Sequence, residues 1–285
     1  MTSALFRVRL SDGSIRLARG EAERGPVELL SPDISLAGLL GRKAAALGLA
    51  VSSAPSDGSA TGAQVLAPID DQEVWAAGVT YLRSRDARIE ESAEPTVYDR
   101  VYDAARPELF FKSVGWRVRG PGEPIGVRAD SPWNVPEPEL ALVIAADGQI
   151  AGYTIGNDVS SRTIEGDNPL YLPQAKVYDG ACALGPAIVS ADAVEPPFAI
   201  RLSIDRDGAV VVDDATSSDR LRRSFNDLAG YLFRALSFPA GAILLTGTGV
   251  VPDPPFSLEP GDRVTIEITG LGQLENPVAS VGRPD

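Results

Sequence analysis

With 285 residues, of which 44% are apolar, the chain is long enough to bury one large core, or one core and a small additional unit. Its formal charge of −13 opposes binding to a phosphate backbone, so nucleic acid is not an expected partner. The absence of histidine excludes Ser-His-Asp and Cys-His catalysis and imidazole-ligated zinc, and a single cysteine, Cys182, excludes an intramolecular disulfide.

The first part of the chain combines short strand patterns with one helix pattern. Alternating apolar residues predict a strand at 6–10, and Ser35 is a suitable N-cap for a helix. Residues 52–64 are small and polar and cannot bury apolar surface, so they predict a linker. We therefore expect a small N-terminal α+β domain over residues 1–66 and a second domain over residues 67–285.

Beyond residue 66, apolar runs separated by Gly, Pro and Asp predict a strand-dominated domain, and the expected fold class is mixed, β-rich α+β. The runs cover residues 74–81, 109–112, 140–146, 150–158, 198–205, 243–246 and 263–269. Ser218 is expected to cap a helix whose apolar residues recur at helical spacing as far as Leu236. Residues 83–105 are highly charged and interrupted by Pro95, which predicts a broken helix or a mobile flap.

The sequence shows no targeting or membrane signal. No apolar run reaches the roughly 18 residues of a membrane helix, and the first residues lack the apolar core of a signal peptide. We therefore expect no membrane partner and a cytoplasmic location.

Three carboxylates are predicted to converge at one end of a β-hairpin. Asp147-Gly148 lies between two apolar runs and predicts a two-residue type I′ turn, which places Glu137 opposite Asp158. Residues two apart on a strand share a face, and directly opposed residues share one too. Glu137, Glu139 and Asp158 should therefore project from the same side of the sheet.

Opposed carboxylates repel, and a hard divalent cation is the simplest compensation. A cluster that offers only oxygen atoms favours Mg²⁺, Mn²⁺ or Ca²⁺ over zinc or copper. Small residues continue this face and are expected to leave room above the sheet, whereas the opposite face is apolar and should pack against the core. The alternative is that the acids line a solvated sheet edge, because the two prolines beside Glu137 fit an edge strand.

Several spaced motifs resemble the fumarylacetoacetate hydrolase family, from about Trp75 to the C-terminus. They are Glu137-x-Glu139, the segments 153–162 and 176–186, Thr246-Gly-Thr-Gly249 and the segment 258–262. The resemblance implies a β-sandwich roll for the catalytic domain, with a metal bound by Glu137, Glu139 and Asp158. It also implies magnesium as the cofactor, a 2-keto acid as the substrate, and a homo-oligomer, a dimer or tetramer.

The sequence departs from the hydrolases of this family. The resemblance implies that those hydrolases need a histidine near the position of residues 78–81, and this chain has none. Segments 78–85, 90–92 and 106–112 instead resemble the sugar-acid dehydratase branch. The implied activity is that of a magnesium-dependent lyase of pentose catabolism. It would dehydrate 2-keto-3-deoxy-D-arabinonate, the same compound as 2-keto-3-deoxy-D-xylonate, to 2,5-dioxopentanoate.

The expected mechanism needs a base and an acid in addition to the metal. The chain has lysine only at positions 43, 112 and 176, and a desolvated lysine near a cation can lose its proton, whereas arginine cannot. Lys176 is therefore the expected base, and Glu108, before an apolar strand, is the expected acid. Substrate contacts are expected from Thr248, in a Gly-flanked turn, from Lys112 and from Arg83. The alternatives are that Lys112 pairs with a carboxylate of the site or extends from a buried strand, and that Arg83 is a solvated surface charge. Arg162 is expected to support a carboxylate.

Two other functions fit the same residues. One is C–C bond chemistry of the same family, by an acylpyruvate hydrolase or an oxaloacetate decarboxylase, since decarboxylation needs the metal but no histidine. The other is a non-catalytic binding module in which the three carboxylates hold a structural Ca²⁺.

Overall fold

The computed structural model of the chain describes residues 2–91 and 100–283. The strands are β1 (Ser3–Arg9), β2 (Ile15–Glu21), β3 (Gly25–Leu30), β4 (Ser56–Ser59), β5 (Gln64–Leu66), β6 (Glu73–Gly78), β7 (Glu108–Val114), β8 (Ile125–Arg128), β9 (Asn134–Val135), β10 (Pro138–Ile144), β11 (Ile150–Asp158), β12 (Ser160–Ser161), β13 (Cys182–Ser190), β14 (Ala199–Arg206), β15 (Ala209–Ser217), β16 (Ala242–Leu245), β17 (Arg263–Ile268) and β18 (Gly272–Val281). The helices are α1 (Leu36–Leu40), α2 (Ala45–Ser53), α3 (Leu82–Glu91), α4 (Arg162–Asp167), α5 (Leu172–Lys176) and α6 (Phe225–Leu232). Of the charged segment 83–105, α3 is helical, and residues 92–99 lie outside the described residues.

Two sheets pack on each other, which confirms the predicted β-rich α+β class. In the described part of the chain, the large sheet has 11 strands in the order β4-β3-β2-β1-β13-β11-β10-β16-β6-β7, with β5 paired to β1. A 5-stranded sheet has the order β15-β14-β17-β18-β8. Apolar residues of both sheets, among them Leu142, Ile155, Leu202 and Ile266, form one continuous core between them. The site lies on the large sheet, where β10 and β11 are interior strands.

The hairpin of β10 and β11 differs from the predicted one at its turn but has the predicted register at its acidic end. Ala145 N donates to Gln149 O at 2.9 Å, and Gly148 has a φ of 79°, so the turn is a longer loop with a left-handed glycine. A bulge directly beyond the turn shifts the pairing by one residue. The two irregularities cancel, and Glu139 lies opposite Gly156 as predicted.

Both faces of this hairpin are packed, which corrects the expectation of open space on the acidic face. Ala141 and Val143 belong to a second apolar core, together with Leu36 and Leu40 of α1. The N-terminal helices therefore cover the face that the sequence pattern left open. In the described part of the chain, a cavity lies at the end of the hairpin that carries the carboxylates.

The N-terminal residues extend the large sheet, because β1 pairs with β13. The predicted linker at 52–64 is wrong in part: α2 continues to Ser53, and β4 pairs with β3. All residues of β4 are exposed, so backbone pairing rather than apolar burial places this strand, and composition did not reveal it. The division into domains at residue 66 stays a prediction.

The helix ends follow capping side chains. Ser35 caps α1 as predicted, but the helix ends at Leu40, and α2 forms separately. The helix expected after Ser218 begins later, where Ser224 Oγ accepts from Asp227 N at 3.1 Å. Within the described residues, no helix has both the length and the apolar character required to cross a membrane.

Candidate active site

Three buried carboxylates meet at the open end of the β10–β11 hairpin. Glu137 lies just before β10, Glu139 within it, and Asp158 at the end of β11, where its N–H donates to Glu137 O at 3.0 Å. One carboxylate oxygen of each residue lies within 4.8 Å of the others. The three residues are 4%, 1% and 1% exposed, so the solvated-edge alternative does not describe them.

Lys176, the last residue of α5, brings its amine into this cluster. Its Nζ donates to Glu137 Oε2 at 3.0 Å, to Asp158 Oδ2 at 3.1 Å and to Ser160 Oγ at 2.6 Å. The Nζ also lies 5.7 Å from the centre of the Phe110 ring. The lysine is 2% exposed, and the two carboxylates that pair with its charge also line the cavity at this site.

Lys112, on β7, is buried directly behind the cluster. Its Nζ forms an ion pair with Asp158 and donates to Val159 O at 3.1 Å and to Lys176 O at 2.6 Å. An ammonium group has three hydrogens, and these three acceptors use all of them. Lys112 therefore holds Asp158 and the backbone of Lys176 in place, which is the pairing with a site carboxylate that the sequence left open, and a substrate contact of Lys112 stays a prediction.

The electrostatic environments of the carboxylates differ. Burial, together with the nearby Asp158 and Glu137 charges, raises the pKa of Glu139 well above its ordinary value. Burial also acts to raise the pKa of Asp158, but Lys112 and Lys176 outweigh it, and that pKa lies below its ordinary value. Asp158 is thus a stable anion, whereas the charge of Glu139 is poorly compensated.

The donor set fits a hard divalent cation. Glu139 Oε2 accepts from Gly247 N at 2.5 Å, and within residues 2–91 and 100–283 no lysine or arginine forms an ion pair with it. A buried carboxylate without a cationic partner is costly, and an ion placed among three carboxylate oxygens compensates it. Glu137, Glu139 and Asp158 would hold that ion, and magnesium, manganese and calcium prefer such oxygen ligands.

A small cavity of about 20 Å³ connects the cluster with Glu108, Phe110 and Thr248. This volume is comparable to the space needed by one water molecule or ion, so a five-carbon keto acid requires the lining to open. Glu108 begins β7, and its carboxylate lies against Gly78, where an added Cβ would overlap it. Thr248 also lines the cavity, and its Oγ1 donates to Val250 O at 3.0 Å within the turn.

Arg83 lies apart from these residues. It is not part of the cavity lining, its side chain is 43% exposed, and it pairs with Asp253 on the surface. The structure therefore brings together every predicted site residue except Arg83.

Three residues of the site were not assigned by sequence reasoning. Ser160 Oγ lies 3.1 Å from Glu137 Oε1 and accepts from Lys176, and Glu165 and Ser84 line the cavity. Arg162 does support a carboxylate as expected, because its Nη2 lies 3.1 Å from Glu137 Oε1. Their positions in the sequence could have identified two of them. Ser160 lies two residues after Asp158, which is the spacing of neighbours on one face of a strand, and Glu165 lies one helical turn after Arg162.

The model of the fumarylacetoacetate (FAA) hydrolase C-terminal domain matches residues 73–279. The chain therefore belongs to the fumarylacetoacetate hydrolase family, as its motifs indicated.

Similar proteins indicate which branch of this family the chain resembles. A probable 2-keto-3-deoxyxylonate dehydratase of Haloferax volcanii is 54% identical over 216 residues, 75% of this chain and 74% of the relative. A 2-dehydro-3-deoxy-D-arabinonate dehydratase of Saccharolobus solfataricus is 44% identical over 221 residues, again 75% of this chain and 74% of the relative. A solved structure of a 2-keto-3-deoxy-D-arabinonate dehydratase, complexed with magnesium and 2,5-dioxopentanoate, is 35% identical with a TM-score of 0.83, over 98% of this chain and 99% of that chain. The resemblance to sugar-acid dehydratases is confirmed.

Proposed function

We propose that this chain is a magnesium-dependent dehydratase that converts 2-keto-3-deoxy-D-arabinonate, identical to 2-keto-3-deoxy-D-xylonate, to 2,5-dioxopentanoate and water. The observation that carries the proposal is the Lys176 amine, 3.0 and 3.1 Å from two of three clustered carboxylates in a cavity that Glu108 also lines. The relatives described above act on this class of substrate.

The first step requires a base near carbon 3 of the substrate. Held by Glu137, Glu139 and Asp158, magnesium would supply a Lewis acid for the carboxylate and keto oxygens, which acidifies the neighbouring methylene. We assign the removal of the carbon 3 proton to Lys176 Nζ, because a cation held by the same carboxylates would favour its neutral form, and a neutral amine can accept a proton whereas a guanidinium cannot. Ser160 Oγ, 2.6 Å from that Nζ, orients it toward the carboxylate cluster.

The second step requires an acid for the departing hydroxyl at carbon 4. Glu108 lines the same cavity, and we assign to it the proton that leaves with this hydroxyl as water. The resulting enone then loses a proton at carbon 5 and regains one at carbon 3, and the enol formed becomes the aldehyde when carbon 4 is protonated. At least one of Lys176 and Glu108 therefore acts twice. We propose Thr248, in the Gly-flanked turn of the cavity, as a contact of the substrate carboxylate.

The test is a coupled assay with purified protein, Mg²⁺ and 2-keto-3-deoxy-D-arabinonate, in which an aldehyde dehydrogenase reports 2,5-dioxopentanoate. Lys176→Met should lower kcat by about 1,000-fold, the range of a lost general base, and should still bind Mg²⁺ in calorimetry. The matched control is Lys43→Met, at an exposed lysine remote from the cluster, which should retain wild-type activity. Full activity of Lys176→Met would refute the assignment.

The same preparation separates the rival functions. Pyruvate formed from oxaloacetate, without dehydration of the pentonate, would identify a decarboxylase. Metal binding without turnover of any keto acid would identify a binding module. Hydrolysis of acylpyruvates is disfavoured because the chain has no histidine to activate water. A homo-oligomer in the cytoplasm stays a prediction.

A further inference from the structure

Arg162 and Glu165 form a buried ion pair on the wall of the cavity. Arg162 Nη1 lies 3.1 Å from Glu165 Oε2, and its Nη2 lies 3.1 Å from Glu137 Oε1. Arg162 thus fixes the carboxylate of Glu165 relative to the metal-binding end. Both side chains are nearly inaccessible, 2% and 5% exposed, yet Glu165 lines the cavity together with Glu108.

The chemistry of Glu165 restricts what the substrate can present to it. A carboxylate accepts hydrogen bonds and donates none, so it favours a hydroxyl and repels another carboxylate. The guanidinium of Arg162 is shared between Glu137 and Glu165, and a carboxylate oxygen that pairs with arginine can accept a further hydrogen bond. The keto-acid end of the substrate belongs at the metal cluster, so the other end of a five-carbon chain faces the remaining wall.

We propose that Glu165 selects the substrate tail, by accepting a hydrogen bond from the carbon 5 hydroxyl and by excluding keto acids that end in a carboxylate. This inference rests on the proposed function and deepens it. It makes Glu165 a specificity-determining residue, distinct from the proposed metal ligands, base and acid.

The first experiment compares two substrates that differ only at carbon 5. 2-Keto-3-deoxy-D-arabinonate carries a hydroxyl there, and 4-hydroxy-2-oxopentanoate carries a hydrogen, while both can lose the carbon 4 hydroxyl. Glu165→Ala should lower kcat/KM for the pentonate by about 10- to 100-fold, the range for a hydrogen bond to a charged group. It should change kcat/KM for the analogue by less than about 3-fold. The matched control is Asp167→Ala, an exposed acid on the same helix, which should affect neither substrate.

The second experiment uses inert five-carbon keto acids as competitive inhibitors. 2-Oxoglutarate ends in a carboxylate and 2-oxopentanoate in a methyl group. Glu165→Gln keeps the size of the side chain and a carbonyl acceptor but removes the negative charge. It should lower the inhibition constant of 2-oxoglutarate by about 10-fold or more and leave that of 2-oxopentanoate within about 2-fold. This conservative variant also keeps the proposal testable if Glu165→Ala does not fold.

The outcomes separate the inference from the proposed function. Equal losses on both substrates, or inhibition constants that shift together or not at all, would overturn the role of Glu165 and leave a purely structural ion pair. A wild-type protein that dehydrates neither substrate would overturn the proposed function, and the inference with it.

Discussion

Replacement of Glu139 by Gln should stabilise the metal-free protein while it abolishes binding of magnesium. Glu139 is 1% exposed, and its pKa is raised by burial and by the carboxylates of Asp158 and Glu137. A neutral amide removes this repulsion, and its carbonyl can still accept from Gly247 N. Functional sites commonly contain groups that cost stability in this way.

The distances set the size of the effect. Two like charges at the upper limit of 4.8 Å repel by about 3.5 kcal/mol at an effective dielectric constant of about 20. Lys112 and Lys176 offset much of this repulsion, so we expect Glu139→Gln to gain about 1–3 kcal/mol. For 285 residues the entropy of unfolding is about 0.6 kcal/mol per kelvin, which converts the gain to a rise in Tm of about 2–5 °C.

The assay is calorimetric unfolding of wild type and variant, in EDTA and in excess Mg²⁺. In EDTA the variant should melt higher, and in Mg²⁺ only the wild type should gain further stability, because the ion binds the native state alone. Glu195→Gln, at an exposed glutamate, is the control and should not change either Tm. A variant that melts lower in EDTA, or that still responds to Mg²⁺ as the wild type does, would refute the reasoning.

The pH dependence of the same comparison follows from the sign of the shift. A raised native pKa means that the native state binds the proton more tightly, so ionisation of Glu139 costs stability at higher pH. The advantage of Glu139→Gln in EDTA should therefore be largest at high pH and should shrink as the pH falls through the raised pKa toward the ordinary value. An advantage that grows on acidification would contradict this account.

Two further substitutions test the neighbours of the cluster. Lys112→Met should lower the free energy of unfolding by about 3–5 kcal/mol, which corresponds to a fall in Tm of about 5–8 °C. The reason is that it leaves the charge of Asp158 less compensated and two buried carbonyl groups without their donor. A fall in Tm no larger than that of Lys43→Met, measured by the same melts, would argue against this role of Lys112. Gly78→Ala should displace the end of the flexible Glu108 side chain, lowering kcat by about 10- to 100-fold with a change in stability below about 1 kcal/mol. Unchanged turnover in this variant would show that the position of Glu108 does not matter to the acid step.

The carboxylate cluster was predictable because strand periodicity and cross-strand pairing are local rules. Those rules placed Glu137, Glu139 and Asp158 together even though the turn was misassigned, since the longer loop and the bulge each shift the register by one residue in opposite directions. The sequence contains no sign of this compensation. The predicted strand register was therefore right at the end that carries the carboxylates, and the predicted turn was wrong.

Other features depend on contacts distant in sequence, and no local pattern reports them. The packing of α1 over the acidic face joins Leu36 to Val143, more than a hundred residues away. The role of Lys112 likewise depends on the carbonyl groups of Val159 and Lys176. From sequence, a lysine after an apolar strand was compatible with a substrate contact or with pairing to a carboxylate, and the acceptors of its amine show the pairing.

Crystals grown with Mn²⁺ and measured at the manganese absorption edge would test the metal centre most directly. We expect one anomalous peak about 2–2.5 Å from a carboxylate oxygen of each of Glu137, Glu139 and Asp158, and its disappearance in Glu139→Gln crystals. No peak at this cluster under excess Mn²⁺, with Lys176 still bound between Glu137 and Asp158, would contradict it.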